Sequence, residues 1–208
     1  MELFVAVLAS LFSVVNPLGA VPVFLAMTPD YDKAERSRTA FQTSLYVIVI
    51  LISFFLGGAY ILSFFGISLN AMRIAGGMVI LSSGYALLNG KFAESRAINK
   101  QVKAEALVKE DISFAPMAMP MLSGPGSISL LISLNAANPA WQDQLLITGV
   151  IIVTGIIIYF ILNLSPLLFR VLGVAGLKAI SRIMGFIVMA IGIQYTITGV
   201  VALVKALW

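Results

Sequence analysis

The chain has no cysteine and no histidine. That removes disulfides, thiol chemistry and the usual zinc and copper ligands, and leaves no signal of redox compartment. Charge is scarce as well: only 11% of the 208 residues are charged, against about 25% in a soluble domain. All nine acidic residues, Glu2, Asp30, Asp32, Glu35, Glu94, Glu105, Glu110, Asp111 and Asp143, fall between or at the ends of the apolar stretches. A midplane carboxylate relay of the common proton-coupled kind is therefore missing. So is the nucleotide-binding pattern G-x-x-x-x-G-K-[ST], and no cofactor is expected. Without an intramembrane acid, His, Cys or Lys, the sequence points away from an enzyme.

What is present is hydrophobicity. Sixty per cent of the residues are apolar and the mean hydropathy is +1.04, an excess that must face lipid. Spanning helices need roughly 20 mainly apolar residues, and windows at about 3 to 27, 41 to 65, 68 to 88, 112 to 134, 144 to 169 and 180 to 204 meet that requirement. The first is too long, and lacks the basic flank, for a cleaved leader. The fold class is an all-α polytopic membrane protein of six transmembrane helices in one transmembrane domain, with no nucleic-acid partner expected.

Basic residues divide unevenly between the two faces. Lys33, Arg36, Arg38, Lys91, Arg96, Lys100, Lys103, Lys109, Arg170, Lys178 and Arg182 fall on one side, and only Arg73 and Lys205 on the other. Under the positive-inside rule this places both termini outside the cytoplasm. The stretch from 91 to 110 reads as a solvated connector that holds orientation. Arg73 and Arg182 read as interfacial anchors that snorkel.

The eight prolines are clustered. Pro17 and Pro22 interrupt the first span, and Pro116, Pro120 and Pro125 the fourth, whereas Pro166 reads as a kink near the end of the fifth. Proline removes a donor and clashes with the preceding turn, so 16 to 22 and 120 to 126 should be local breaks. Two further correspondences suggest a duplication. The prolines share a Pro-x4-Pro spacing 103 residues apart (120 against 17). The third and sixth spans carry glycines seven apart, Gly77 and Gly84, then Gly185, Gly192 and Gly199, at an offset of 108 or 109 depending on whether glycines or arginines are matched. The glycines also suit close helix packing. Three spans per half is an odd number, so the halves, about 1 to 90 and 111 to 208, would be two inverted three-helix repeats, with the first and fourth helices discontinuous.

Non-helical backbone at membrane depth is tolerated only where it is buried in protein or lines a cavity. The breaks therefore mark a binding site whose helix ends suit opposite charges, and a zwitterion fits them. Asn16, Ser123 and Ser127 add hydrogen-bonding groups, with Ser13 and Ser129 nearby. With no ATP-binding loop, the energy source for a secondary transporter would be a proton or sodium gradient. Glu110 and Asp111 are the nearest titratable groups. A channel or exporter for ions or small solutes is the alternative.

Val15-Asn16-Pro17-Leu18-Gly19-Ala20-Val21-Pro22-Val23-Phe24-Leu25 resembles the Asn-Pro-x-Gly-x-x-Pro first-span motif of the MarC family of prokaryotic inner-membrane proteins. Ala118-Met119-Pro120-Met121-Leu122-Ser123-Gly124-Pro125-Gly126-Ser127-Ile128 resembles its fourth-span motif. The resemblance implies a transporter of small neutral amino acids, glycine and alanine, like the SnatA-type members. It also implies substrate-binding roles for Asn16, Pro17, Gly19, Pro22, Pro120, Gly124, Pro125 and Gly126. Ser123 and Ser127 join them on chemistry alone.

Overall fold

A computed structural model describes residues 2–90 and 111–207 of the chain. The connector expected over 91 to 110, with five of the basic residues and Glu110, lies outside them. Every regular element among the described residues is helical: α1 (Glu2–Val15), α2 (Pro17–Met27), α3 (Lys33–Phe64), α4 (Leu69–Leu88), α5 (Ser113–Leu122), α6 (Pro125–Ala137), α7 (Trp141–Asn163) and α8 (Ser165–Leu207).

Local chemistry sets the boundaries. At the start of α3, Asp32 Oδ1 accepts from the Glu35 amide at 2.8 Å and Glu35 Oε2 from the Asp32 amide at 2.9 Å, a reciprocal cap that satisfies two otherwise orphaned donors. The helix stops at Gly66, whose φ of 67° lets the Ile67 amide reach Leu62 O at 2.9 Å and the Gly66 amide reach Ser63 O at 3.1 Å. Thirty-two residues in between make a rod of about 48 Å, longer than a hydrocarbon core of about 30 Å. Its charged first turns therefore stand beyond the apolar part.

Five helical segments are long and apolar enough to cross a membrane: Glu2–Met27, which joins α1 and α2, then α3, α4, α7 and Ser165–Lys205. The pair α5 and α6, bent by 63°, makes a sixth if counted as one span. Pro166 differs from the expectation. It stands in the first turn of α8, where a missing N–H costs nothing because that amide has no intrahelical acceptor, and α7 already ends at Asn163. The stretch from 170 to 179, between the fifth and sixth apolar windows, is helical on both sides of a single interruption, Gly173 (φ 62°, ψ −177°), a conformation open only to glycine.

The interrupted helices lie inside the bundle. In the most apolar window of Glu2–Met27, 56% of residues are buried, against 17% to 39% for the other four spans. Leu11, Val14, Val15, Ala20 and Phe24 meet Met117, Ala118, Met121 and Leu122 of α5 in one core with Val47, Leu51 and Phe55 of α3. Apolar side chains of α3, α7 and α8 point outward, among them Tyr60, Phe64, Phe160 and Phe186.

Helices α4 and α8 form the closest pairing, antiparallel and backbone to backbone. A Cβ on Gly77 would come within 2.7 Å of Gly192 O, and one on Gly192 within 2.7 Å of Gly77 O. One turn-pair along, a Cβ on Gly84 would meet Gly185 O at 2.8 Å and one on Gly185 would meet Gly84 O at 2.9 Å. The packing role read for these glycines holds, since small residues let two backbones touch where lipid gives no hydrophobic drive. Element starts follow one register: Pro17 and Pro125 open α2 and α6, Lys33 and Trp141 open α3 and α7, an offset of 108 in each case (125 − 17, 141 − 33). Gly77 to Gly185 and Gly84 to Gly192 share it. The proline spacing of 103 does not.

Candidate functional site at the two helix breaks

The first break is a single residue. Pro17 disfavours right-handed helix in the residue before it, and Asn16 takes a left-handed conformation, φ 51° and ψ 64°, which Asn tolerates better than most side chains. Its amide still closes the last turn of α1, donating to Phe12 O at 2.9 Å. Its side-chain Oδ1 caps α2 by accepting from the Gly19 amide at 3.3 Å, which also fixes which end of the carboxamide is nitrogen. Nδ2 then lies over the first turn of α2, on the spot a Cβ at Gly19 would occupy; Gly19 is glycine because that side chain is there. The break is narrower than expected. Pro22 is held within α2, half-buried, because its fixed φ is compatible with helix and the surrounding bundle tolerates one lost backbone bond.

The second break is broader. The residues preceding Pro116 and Pro120 are extended, Ala115 at ψ 121° and Met119 at ψ 127°, as a following proline favours. Both of these Xaa-Pro bonds are cis. The chain closes wide turns instead, with the Met117 amide donating to Ile112 O at 3.3 Å and the Ser123 amide to Ala118 O at 2.8 Å, so backbone groups stay paired although α-helix is lost. Ser123 (φ −100°, ψ 61°) and Gly124 (φ −80°, ψ 172°) turn the chain into α6. No side chain caps α6. Ser127 Oγ donates to Gly124 O at 2.9 Å and steadies that turn.

The breaks abut. A Cβ on Gly126 would stand 3.4 Å from Val14 Cγ1, just before Asn16, and 3.1 Å from Ile80 Cγ1 of α4. Helix α1 also contacts α6, and α2 contacts α5. Asn16, Ser123 and Ser127 are 1%, 0% and 2% exposed, so these three side chains are enclosed by protein. Pro17, Gly19, Gly124 and Gly126 are buried too, Pro120 is half-buried, and Pro125 is exposed. Two buried polar atoms at this junction, Asn16 Nδ2 and Ser123 Oγ, have no hydrogen-bond partner among the described residues. Each would cost about 1–3 kcal/mol if left unsatisfied.

One feature had no sequence signal. Arg36 Nη2 donates to Thr28 O at 2.9 Å and Tyr31 O at 3.1 Å, placing a cation at the carbonyl end of α2, where the helix dipole favours it. On α6, Ser129 Oγ donates to Met72 O at 3.4 Å, and Ser133 is buried without a partner among the described residues. Asp111 is exposed, and its Oδ1 accepts from the Ser113 amide at 2.8 Å and from Ser113 Oγ, which ties down the turn leading into α5. No group of three or more potential metal-ligating His, Cys, Asp or Glu side chains is present among the described residues. An apolar groove of about 190 Å³ between Leu62, Ile67 and Ala136 includes none of the break residues.

Comparison with known proteins gives a consistent result. Residues 1–204 match the family described as MarC family integral membrane protein. The membrane protein YhcE of Escherichia coli is 38% identical over 91% of this chain and 88% of its own length. A membrane protein of Methanocaldococcus jannaschii is 36% identical over 96% and 97%. The inner membrane protein MarC of Salmonella typhimurium is 32% identical over 99% and 98%. No solved structure matches.

Proposed function

The chain belongs to the MarC family of integral membrane proteins, and from that premise we propose that it is a secondary transporter of small neutral amino acids, the glycine and alanine class, in the prokaryotic cytoplasmic (inner) membrane. The observation that carries this reading is the junction of two interrupted helices in the bundle interior, with buried polar atoms unpaired there. Broken backbone is expensive at membrane depth unless it serves a cavity or a bound solute. A site lined by Gly and Pro, with small hydroxyls and one carboxamide, suits a small polar solute better than a large one.

Alternating access needs two bundles that rock about a common axis. In this reading the bundles are inverted repeats, residues 1–90 and 111–208, joined by the connector at 91–110. Its support is the offset of 108. Under that shift the Gly77–Gly192 contact becomes Gly185–Gly84, which is the other glycine contact of the same interface. A contact set that maps onto itself is what a two-fold axis between α4 and α8 generates. The uneven division of basic residues supports both termini lying outside the cytoplasm.

Coupling falls to a proton or a sodium ion, the latter held by backbone carbonyls that leave no carboxylate trace. The test is uptake of labelled glycine and alanine by liposomes containing the purified protein, with proton and sodium gradients imposed separately. Concentrative uptake under one of them is expected. Retention no greater than in protein-free liposomes, for both amino acids under both gradients, overturns the reading.

A further inference from the structure

We propose that the site at the two breaks recognises its substrate through the carboxylate alone, with no side chain assigned to the ammonium group, so that it also accepts small monocarboxylates such as propionate. This rests on the transport reading above and names the group by which that site selects.

The polar inventory is lopsided. The cap to Gly19 occupies Asn16 Oδ1 and leaves Nδ2 as a donor; Ser123 Oγ adds a hydroxyl, buried completely and likewise unpartnered among the described residues. Helix α6 starts at the same junction without a side-chain cap. In its first turn Pro125 has no N–H and the Ile128 amide donates to Gly124 O at 3.2 Å, which leaves the Gly126 and Ser127 amides without an intrahelical acceptor, and its N-terminus carries about half a unit of positive charge. That charge is not cancelled by the preceding segment, which is bent away by 63° and is extended at Ala115 and Met119.

Among the described residues no buried acid offsets these donors. Their buried polar and charged side chains are Ser, Thr and Asn only, so neither an Asp or Glu for an ammonium nor a Lys or Arg for a carboxylate is among them. An uncapped helix start, with buried unpartnered donors at the junction, suits a carboxylate. An ammonium group needs acceptors: Gly124 O already takes both the Ser127 hydroxyl and the Ile128 amide, and the carbonyl end of α1 runs on into α2 within one span, where the opposite dipole end of α2 offsets it. The amine is therefore tolerated, while the carboxylate is read.

Labelled alanine and labelled propionate are each bound to the purified full-length protein in nanodiscs, with propionate, alaninamide and ethylamine as competitors. Propionate is expected to displace alanine at concentrations within about tenfold of unlabelled alanine, while alaninamide and ethylamine need at least about a hundredfold more. Asn16→Gly, which keeps the left-handed backbone, and Ser123→Ala should each weaken propionate binding about tenfold and narrow its advantage over alaninamide. Alaninamide competing as well as alanine, or both variants binding propionate like the parent, overturns the proposal. Failure of alanine to bind while propionate does would sink the amino-acid reading and leave carboxylate recognition standing.

Discussion

The two breaks occupy corresponding places, one before Pro17 and the other before Pro125, yet they are built differently. The first is a single left-handed residue capped by its own side chain, and α1 and α2 still pass together as one span. The second needs wide turns, two extended residues and a 63° bend, and its outgoing helix is uncapped. A carboxamide can replace the missing backbone bonds at the first. At the second, Gly124 has no side chain to do so, and the helix start stays available to a solute. In the proposed site the first break supplies a side-chain donor, and the second supplies the field.

The largest effect should come from closing the space between them. Gly126→Leu would drive a side chain toward Val14 and Ile80, where even a Cβ stands at 3.4 and 3.1 Å. Overpacking of this kind typically costs about 1–3 kcal/mol, here applied where the breaks must meet. Uptake in liposomes is expected to fall at least about fivefold, at one factor of ten for each 1.4 kcal/mol. Parental rates would show that the breaks work independently.

The next effect separates conformation from capping at the first break. Asn16→Ala loses the cap, about 0.5–2 kcal/mol, and also places an ordinary L-residue in left-handed backbone, about 1–2 kcal/mol more. Asn16→Gly loses only the cap. Thermal unfolding in detergent should rank parent, then Gly, then Ala; Ala at least as stable as Gly would mean that Asn16 does not hold φ 51° in the membrane.

At the second break, Ser127→Ala removes the hydrogen bond to Gly124 O. A net loss of about 1 kcal/mol is expected for such a bond, seen as a severalfold rise in the alanine concentration giving half-maximal uptake. No change would mean that the turn into α6 is held by Pro125 and packing alone.

Much of this contrast was legible in the sequence, because the residues that break helices are chemically unmistakable. Asn16-Pro17 and Ser123-Gly124-Pro125 fall where the chain leaves the helix, and the glycines of α4 and α8 fall where two backbones touch. The register was not legible. Pro-x4-Pro recurs at 103, but the prolines it pairs are not equivalent: Pro17 and Pro125 each open a helix, whereas Pro22 is held inside α2 and Pro120 sits in the irregular α5. Sequence records that a donor is missing and not whether that donor was needed, which is also why Pro166 reads as a kink and turns out to start α8. Arg36 gave no sign of its role, since its acceptors are backbone carbonyls brought near by the turn after α2.

Pro22 provides the smallest and sharpest test of that distinction. A proline inside a helix leaves the carbonyl four residues back, that of Leu18, without its usual donor, and costs up to about 3 kcal/mol relative to alanine in an isolated helix. If the first break is confined to Asn16, Pro22→Ala restores an amide in a segment that is already helical and moves nothing at the site. Stability should rise or hold, and alanine uptake should stay within about twofold, a difference of under 0.5 kcal/mol. A loss of uptake as deep as that of Gly126→Leu, with the fold retained, would mean that the first break must widen through Pro22 during transport. The two interrupted helices would then differ in the shut state and resemble one another in the open one.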